Sequence, residues 1–465
     1  MEQAIKKNTG QIDLTEGSVV KSFLSFMVPI IIGNIFTQLY NTADSIIVGQ
    51  FVGSNALAAL GACFPLNMII NSFLVSVGAG ATVVVSQYYG AKNQEGVSRT
   101  VNNALILASL VALGITVIGL ISAKPVLNLL KTPEEIFDDA YIYLVITIIG
   151  TLGHLYYQMG SAILRGMGDS VFPLIMLIFC SLLNIVLDLL FVAVFHWGVA
   201  GAAWATILAQ LISGITLIMR LTGKRYNVKV NRNTLKIEKD IAKPILFVGV
   251  PAGLQMLVYA SGSSIVQGFT NTFGSNIIAA NSSILKIDGF IILPNMAIST
   301  AIQAFVGQNI GAGKIDRLKK GNRVGMLFSI AISVVLGLVF VAFAPGAIGL
   351  FTSEAEVVRI GSIGLRTLGF FYVFQGISQC ITGIVRGAGQ STVPMLTAFV
   401  NIGLRTAFSY ILAVRTNDYK GLYYAMIIGN AANALIMIIY YKLGSWRKAS
   451  IVKKAEPMVV EESFQ

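Results

Sequence analysis

Two carboxylates set the chemistry of this chain, because each lies inside a long apolar stretch: Asp44 within residues 23–48 and Asp188 within 172–195. Each follows a proline by 15 residues, Pro29 and Pro173. On helices rising from the same side, both therefore sit roughly 22 Å above their prolines and can meet at one depth. An Asp at the centre of a membrane-crossing helix costs roughly 2.5–3.5 kcal/mol, so it is normally kept to handle an ion or a substrate. Asn184 precedes Asp188 by one turn on the same helical face, and Thr206, on a helix descending from about Gly198, reaches roughly 12 Å below the outer surface. Two adjacent carboxylates can share a proton, and with the oxygens of Asn184 and Thr206 they can equally ligate Na⁺. The residues leave H⁺ or Na⁺ open. No other chemistry competes: the two histidines, His154 and His196, belong to no metal motif, and no nucleophile stands at a diagnostic distance from a base. An enzyme, a cofactor and a resident metal beyond such a Na⁺ are not expected.

The elements that must position these residues are membrane helices. The 465 residues are 55% hydrophobic and 12% charged, with mean hydropathy +0.76, against the roughly 25% charged content of soluble domains. Polar breaks divide the chain into apolar spans at about 23–48, 57–85, 101–122, 140–162, 172–195, 198–219, 245–270, 277–305, 324–344, 360–383, 393–414 and 421–441. Each is long enough for the roughly 30 Å hydrocarbon core, and a helix satisfies its own backbone there. The expected fold is all-α and polytopic, with twelve transmembrane helices in two pseudo-symmetric six-helix lobes. Cys63, Cys180 and Cys380 all fall in spans and read as small buried hydrophobes. Residues 1–21 lack the pattern of a cleaved signal, so the first helix is expected to direct insertion.

Of the 33 Lys and Arg, 25 lie on the side of the termini, five in the opposite loops and three within spans. This bias puts both termini in the cytoplasm of a multi-pass plasma (inner) membrane protein, and it explains the net charge of +12 without nucleic acid. A shift of 221 residues superposes Gly53-Ser54-Asn55 on Gly274-Ser275-Asn276, Gln87 on Gln308, Gly90-Ala91 on Gly311-Ala312, and Arg165-Gly166-Met167-Gly168 on Arg386-Gly387-Ala388-Gly389. The chain is thus a parallel repeat of six-helix units, common in transporters that expose a site alternately. Its parts are a cytoplasmic segment 1–22, an N-terminal lobe 23–219, a basic linker 220–244, a C-terminal lobe 245–441 and a cytoplasmic tail 442–465. The linker orients and joins the halves, and its charge also suits acidic lipid. The paired Arg-Gly-x-Gly stretches read as tight turns using positive φ, and Val77-Gly78-Ala79-Gly80-Ala81 as close helix packing.

Val28-Pro29, Asp44 before Gly49, Gly53-Ser54-Asn55-Ala56-Leu57-Ala58-Ala59, both Arg-Gly-x-Gly turns and Asn184-Ile185-Val186-Leu187-Asp188, in this order within the duplicated frame, resemble the multidrug and toxic compound extrusion (MATE) family over essentially all twelve spans. The resemblance implies an inner-membrane antiporter exporting cationic amphiphilic compounds against H⁺ or Na⁺. It is closer to the DinF-like branch, where Tyr143, Asn184, Asp188 and Thr206 surround the cation pocket, with Asp44 on the first helix. At the 221 shift Asp188 falls on Ser409, Asn184 on Arg405 and Asp44 on Ile265, and the positions acidic in another branch are Tyr259 and Gln375. Ion coupling is therefore expected in the N-terminal lobe alone. Tyr40, Met68, Tyr157, Met256 and Met296 are candidates for an adaptable substrate cleft. Asp288 either joins them or pairs internally with a base such as Lys286, Arg366 or Arg405, and His154 reads as a packing residue. Pro29 removes a backbone hydrogen bond and is the expected hinge. The expected partners are small organic cations and membrane lipids, with a monomer as the working unit. Flipping of a lipid-linked precursor is the alternative, disfavoured because only three basic residues lie within spans.

Overall fold

The computed structural model describes residues 11–223, 225–226, 228–230, 236–369, 371–444, 446 and 451; the side chains of residues 41–46 and of Ser54 lie outside that description. Parts of the basic linker, the N-terminal segment and the C-terminal tail fall outside it too. Ten helices are long and apolar enough to cross a bilayer: α1 (Val19–Phe51), α2 (Ser54–Gly90), α3 (Gln94–Leu129), α6 with its continuation (Val171–Val194), α7 (Gly198–Thr222), α8 (Lys239–Asn271), α9 (Ser275–Gly311), α10 (Ile315–Ala342), α14 with its continuation (Thr392–Val414) and α15 (Lys420–Leu443). Two bent pairs supply the rest: α4 (Glu134–Ile149) with α5 (Thr151–Gly166), bent by 48°, and α12 (Ala355–Gly369) with α13 (Tyr372–Gly387), bent by 51°. A short α11 (Ala344–Gly349) precedes the second pair. With each pair as one crossing there are twelve, and the described residues contain no strand.

The 140–162 and 360–383 spans, expected as single helices, are these bent pairs. Glycine permits the first break. A Cβ on Gly150 would stand 2.2 Å from the Ile207 side chain, so α7 packs into the space that a larger residue would fill. Around the second, a Cβ on Gly369 would stand 2.2 Å from Val341. The 221-residue repeat holds along the helices, α2 and α9 superposing end on end, except that the single α3 answers to two helices, α10 and α11. The expected turns form as well, with Gly168 at φ +85° and Gly389 at φ +104°, where an L side chain is strained. Gly80 brings α2 against α8, since a Cβ there would lie 2.2 Å from the Ile245 carbonyl. All three cysteines are buried and free.

The first helix does not stay within one repeat. Phe23, Phe26 and Met27, near its start, are buried with Ile298, Ile302 and Phe305 of α9. Phe23 meets Phe305 edge-on at 6.4 Å and stacks on Phe328 of α10 at 6.2 Å. Midway, the Asn34 amide donates to the Leu293 carbonyl at 3.2 Å. By Val48 the helix lies among Ala56, Val192, Val199 and Ala202 of the first repeat. It begins in the core of one half and ends in the core of the other.

The described part of the linker is tied to the first repeat. Arg99 pairs with Glu238 and, at 3.0 Å, with Asp240, while the Glu238 N–H donates to Asn103 at 2.8 Å. The Tyr226 hydroxyl donates to Asp169. Burial and that carboxylate hold the Tyr226 phenol well above its usual range, so it remains a donor at physiological pH.

A buried carboxylate site in the N-terminal half

Asp188 closes α6, where the helix widens into a π-helical turn, Leu189–Val194. Such turns carry an extra residue and often mark functional sites. Here the same turn recurs after Ser409 as Tyr410–Val414, so it belongs to the repeat and not to the carboxylate alone. Asp188 is 0% and Asn184 1% exposed. One orientation of the Asn184 amide serves both ends: its NH₂ donates to Asp188 Oδ2 at 2.9 Å, and its oxygen accepts from the backbone N–H and the hydroxyl of Thr206, each at 3.2 Å. The Thr206 hydroxyl also reaches the Ala202 carbonyl at 3.1 Å. The expected trio therefore forms a chain of contacts between α6 and α7.

Tyr143 of α4 is half-buried and packs between two apolar clusters, one containing Val48, Ala56, Val192 and Ala202, the other Ile146, Ala203 and Ile207. It brings a third helix, α4, against the apolar residues of α1 and α7. The side chain of Asp44 lies outside the described residues. Its helix packs on α6, α7 and the π-helical turn. Residue 44 precedes the buried Val48 by one turn, on the same helical face.

The proposed cleft residues scatter over five helices. Tyr40 of α1, Tyr157 of α5 and Met256 of α8 are half-buried, whereas Met68 of α2 and Met296 of α9 are exposed. Asp288 is different. It is 2% exposed, beside the core residues Ile284, Ile287 and Ile291, and accepts the hydroxyl of Tyr372 from α13. Arg405 acts on it electrostatically from α14. Of the other bases named for Asp288, Lys286 lies 5.2 Å over the Phe351 ring and Arg366 is exposed. Tyr372 is the partner that sequence reasoning missed, being 84 residues away with no motif to announce it. His154 lies 3.3 Å from Gln158 on its own helix, as a packing histidine does.

Asn184 holds Asp188 by one end and Thr206 by the other, so Asn184→Ala is expected to weaken the affinity for a cation held at Asp188 about 10–100-fold, as loss of an orienting partner does. Calorimetric or fluorescence titration of the purified protein measures it; unchanged affinity removes Asn184 from the site.

The MatE family model matches residues 29–190 and 251–411, one block in each repeat. The chain is similar to the "Probable multidrug resistance protein YpnP" of Bacillus subtilis (strain 168), 31% identical over 440 residues that cover 94% of this chain and 97% of that protein. Among solved structures it resembles a MATE transporter in the bent conformation (TM-score 0.88, 25% identity, 94% of this chain and 98% of that one). It also resembles the outward-facing conformation of a multidrug resistance MATE family transporter of the MOP superfamily (TM-score 0.87, 26% identity, 95% and 99%). Twelve crossings in two repeats, a matching block in each and full-length similarity agree: this chain is a multi-pass membrane protein of the MATE family.

Proposed function

We propose that the protein is an antiporter that exports cationic amphiphilic compounds across the plasma membrane, driven by H⁺ or Na⁺ entering through the N-terminal half, with both termini in the cytoplasm. The observation that carries this reading is the buried Asp188–Asn184–Thr206 chain beside the helix of Asp44. A carboxylate so placed is expensive unless it exchanges a cation during the work cycle. Its counterpart in the other half is Ser409, which cannot carry charge, so one half is loaded and the other is not. Similarity to a probable multidrug resistance protein and to an outward-facing transporter supports export. One monovalent cation entering yields about 2.3 kcal/mol per 100 mV, which offsets the equal cost of expelling a monovalent cationic compound, and the ion's concentration gradient, about 1.4 kcal/mol per pH unit if it is H⁺, is left as the net drive. The test is uptake of a cationic dye into proteoliposomes under independently imposed Na⁺ and pH gradients. Accumulation that follows one gradient assigns the ion; accumulation indifferent to both sinks the coupling.

Loading the site is proposed to act through α1. A cation between Asp44 and Asp188 removes their repulsion, and the helix gives where Pro29 interrupts its hydrogen bonds. Pro29→Ala is expected to leave cation affinity within about twofold while slowing turnover by about tenfold, a change of about 1.4 kcal/mol in the barrier. Stopped-flow dye release against cation titration separates the two quantities, and equal turnover rates eliminate the hinge.

A further inference from the structure

Gln87 and Gln308 hold the same position in the two repeats, and both are fully buried. Each reaches across the seam between the halves. The Gln87 amide donates to the Gly387 carbonyl at 3.1 Å, and the Gln308 amide donates to the Gly166 carbonyl at 2.9 Å. Gly166 and Gly387 are themselves a repeat pair, in the two Arg-Gly-x-Gly turns. The two bonds are therefore one contact and its symmetry mate. The helices that carry them cross so closely that a Cβ on Gly90 would stand 2.0 Å from the Gln308 carbonyl, and one on Gly311 1.9 Å from that of Gln87.

Each glutamine has a side-chain oxygen left, and each oxygen receives a backbone N–H from a terminal segment. Leu14 donates to Gln308 at 3.3 Å, and Ile451 donates to Gln87 at 2.9 Å. The N-terminal segment goes further and bridges the seam. At its start the Ile12 N–H donates to Gly168 at 2.9 Å, and the Gln11 amide donates to the Tyr89 hydroxyl at 2.8 Å and to the Met167 carbonyl at 3.1 Å, all in the first repeat. At its end the second repeat takes over: Asn309 donates to the Leu14 carbonyl at 3.1 Å and Lys314 to the Thr15 carbonyl at 2.9 Å. Arg317 donates to the carbonyls of Leu14, Glu16 and Gly17 at 3.0, 2.6 and 2.6 Å. Leu14 is fully buried. Most of these bonds go to the main chain of the segment, while the side chain of Leu14 is buried in the core of the second repeat and Glu16 pairs with Lys92 of the first at 3.9 Å.

We propose that residues 11–17 are a removable latch across this face of the transporter, seated only while both glutamine clamps are closed, so that the face opens only once the latch has left. Separating the halves carries Gly168 away from Arg317, and a segment held at both ends cannot follow both. Ile451 completes the second clamp as Leu14 completes the first. The latch thus sets the balance between the two accessibilities of the central cleft. The inference rests on the alternating-access part of the proposed function, and on neither the ion nor the substrate.

The test is a distance measurement that involves no transport. Spin labels go on Glu95 and Lys320, exposed residues on opposite sides of the seam, after the three buried cysteines are replaced by alanine. Double electron–electron resonance in nanodiscs then reads the distance between them. Deleting residues 2–17 removes several hydrogen bonds and is expected to raise the ratio of long to short distances about tenfold or more. A synthetic peptide of residues 1–18 is expected to restore the short distance to the truncated protein. Leu14→Pro, which removes one N–H together with a buried leucine side chain packed in the core of α1 and α9, is expected to shift the same ratio in the same direction by a smaller factor. A truncated protein whose distances superpose on those of the full chain, or an opening that the peptide cannot reverse, overturns the latch. Neither result bears on the ion site, because no gradient is applied.

Discussion

Asp188→Asn is expected to reduce gradient-driven export to the passive level while the protein still inserts and folds. The carboxamide has nearly the shape of the carboxylate and can still meet Asn184, so the contact from α6 to α7 persists. What it cannot do is change charge. Without exchange nothing offsets the cost of expelling a monovalent cation against the membrane potential, about 2.3 kcal/mol or about 50-fold per 100 mV. Asp44→Asn is expected to give the same loss by the same route. The double variant should then be little worse than either single, because residues acting as one unit are non-additive. Dye accumulation in proteoliposomes, with size-exclusion profiles to verify folding, provides the measurement. Two partly active singles whose losses add would show that the carboxylates serve separate sites, and uphill transport by Asp188→Asn would end the assignment.

Gly311→Ala is expected to be as damaging, for a reason unrelated to charge. Its new Cβ would stand 1.9 Å from the Gln87 carbonyl, and backbone cannot swing aside as a flexible side chain can. The crossing of α2 and α9 must open, at an overpacking cost of about 1–3 kcal/mol or more. Both glutamine clamps lie at that crossing, so the face should stay parted and turnover should fall at least tenfold, since every 1.4 kcal/mol is tenfold. Gly90→Ala, its mate in the repeat, is expected to do the same. Gly114→Ala provides the control, because nothing lies within 4 Å of a Cβ there. Thermal unfolding and dye transport of the three variants decide the matter: if Gly311→Ala and Gly90→Ala both behave like Gly114→Ala, the tight crossing is not needed.

The number of crossings and the two-fold repeat were legible because hydropathy and a single 221-residue register are properties of the chain itself. The Asn184–Asp188 pair was legible for a local reason, since four residues on a helix share a face. The bends at Gly150 and near Gly369 were not, because both pieces of each bent crossing remain apolar and only a neighbouring helix reveals the space taken. Tyr372 was invisible for the same kind of reason. Its hydroxyl matters to Asp288 through the packing of α13 on α9, which no spacing encodes. Gln87 and Gln308 were seen as matching letters, but their use depends on which carbonyl lies opposite.

The path of α1 from one core to the other makes it a lever with unequal arms. Residue 44 is 15 residues beyond Pro29, and the helix start at Val19 is 10 before it, about 22 Å and about 15 Å of helix. A tilt of about 10° about the proline would displace the far end by roughly 4 Å and the near end by roughly 2.6 Å at that rise per residue. The near arm carries Phe23 and Phe26 into the core of the second repeat and begins where residues 11–17 end. The proposed ion site and the terminal face therefore have no need of a chain of polar contacts between them. Because α1 runs unbroken through Pro29, the part of its motion that the hinge does not absorb tilts the whole helix and tugs on the strap at the other end.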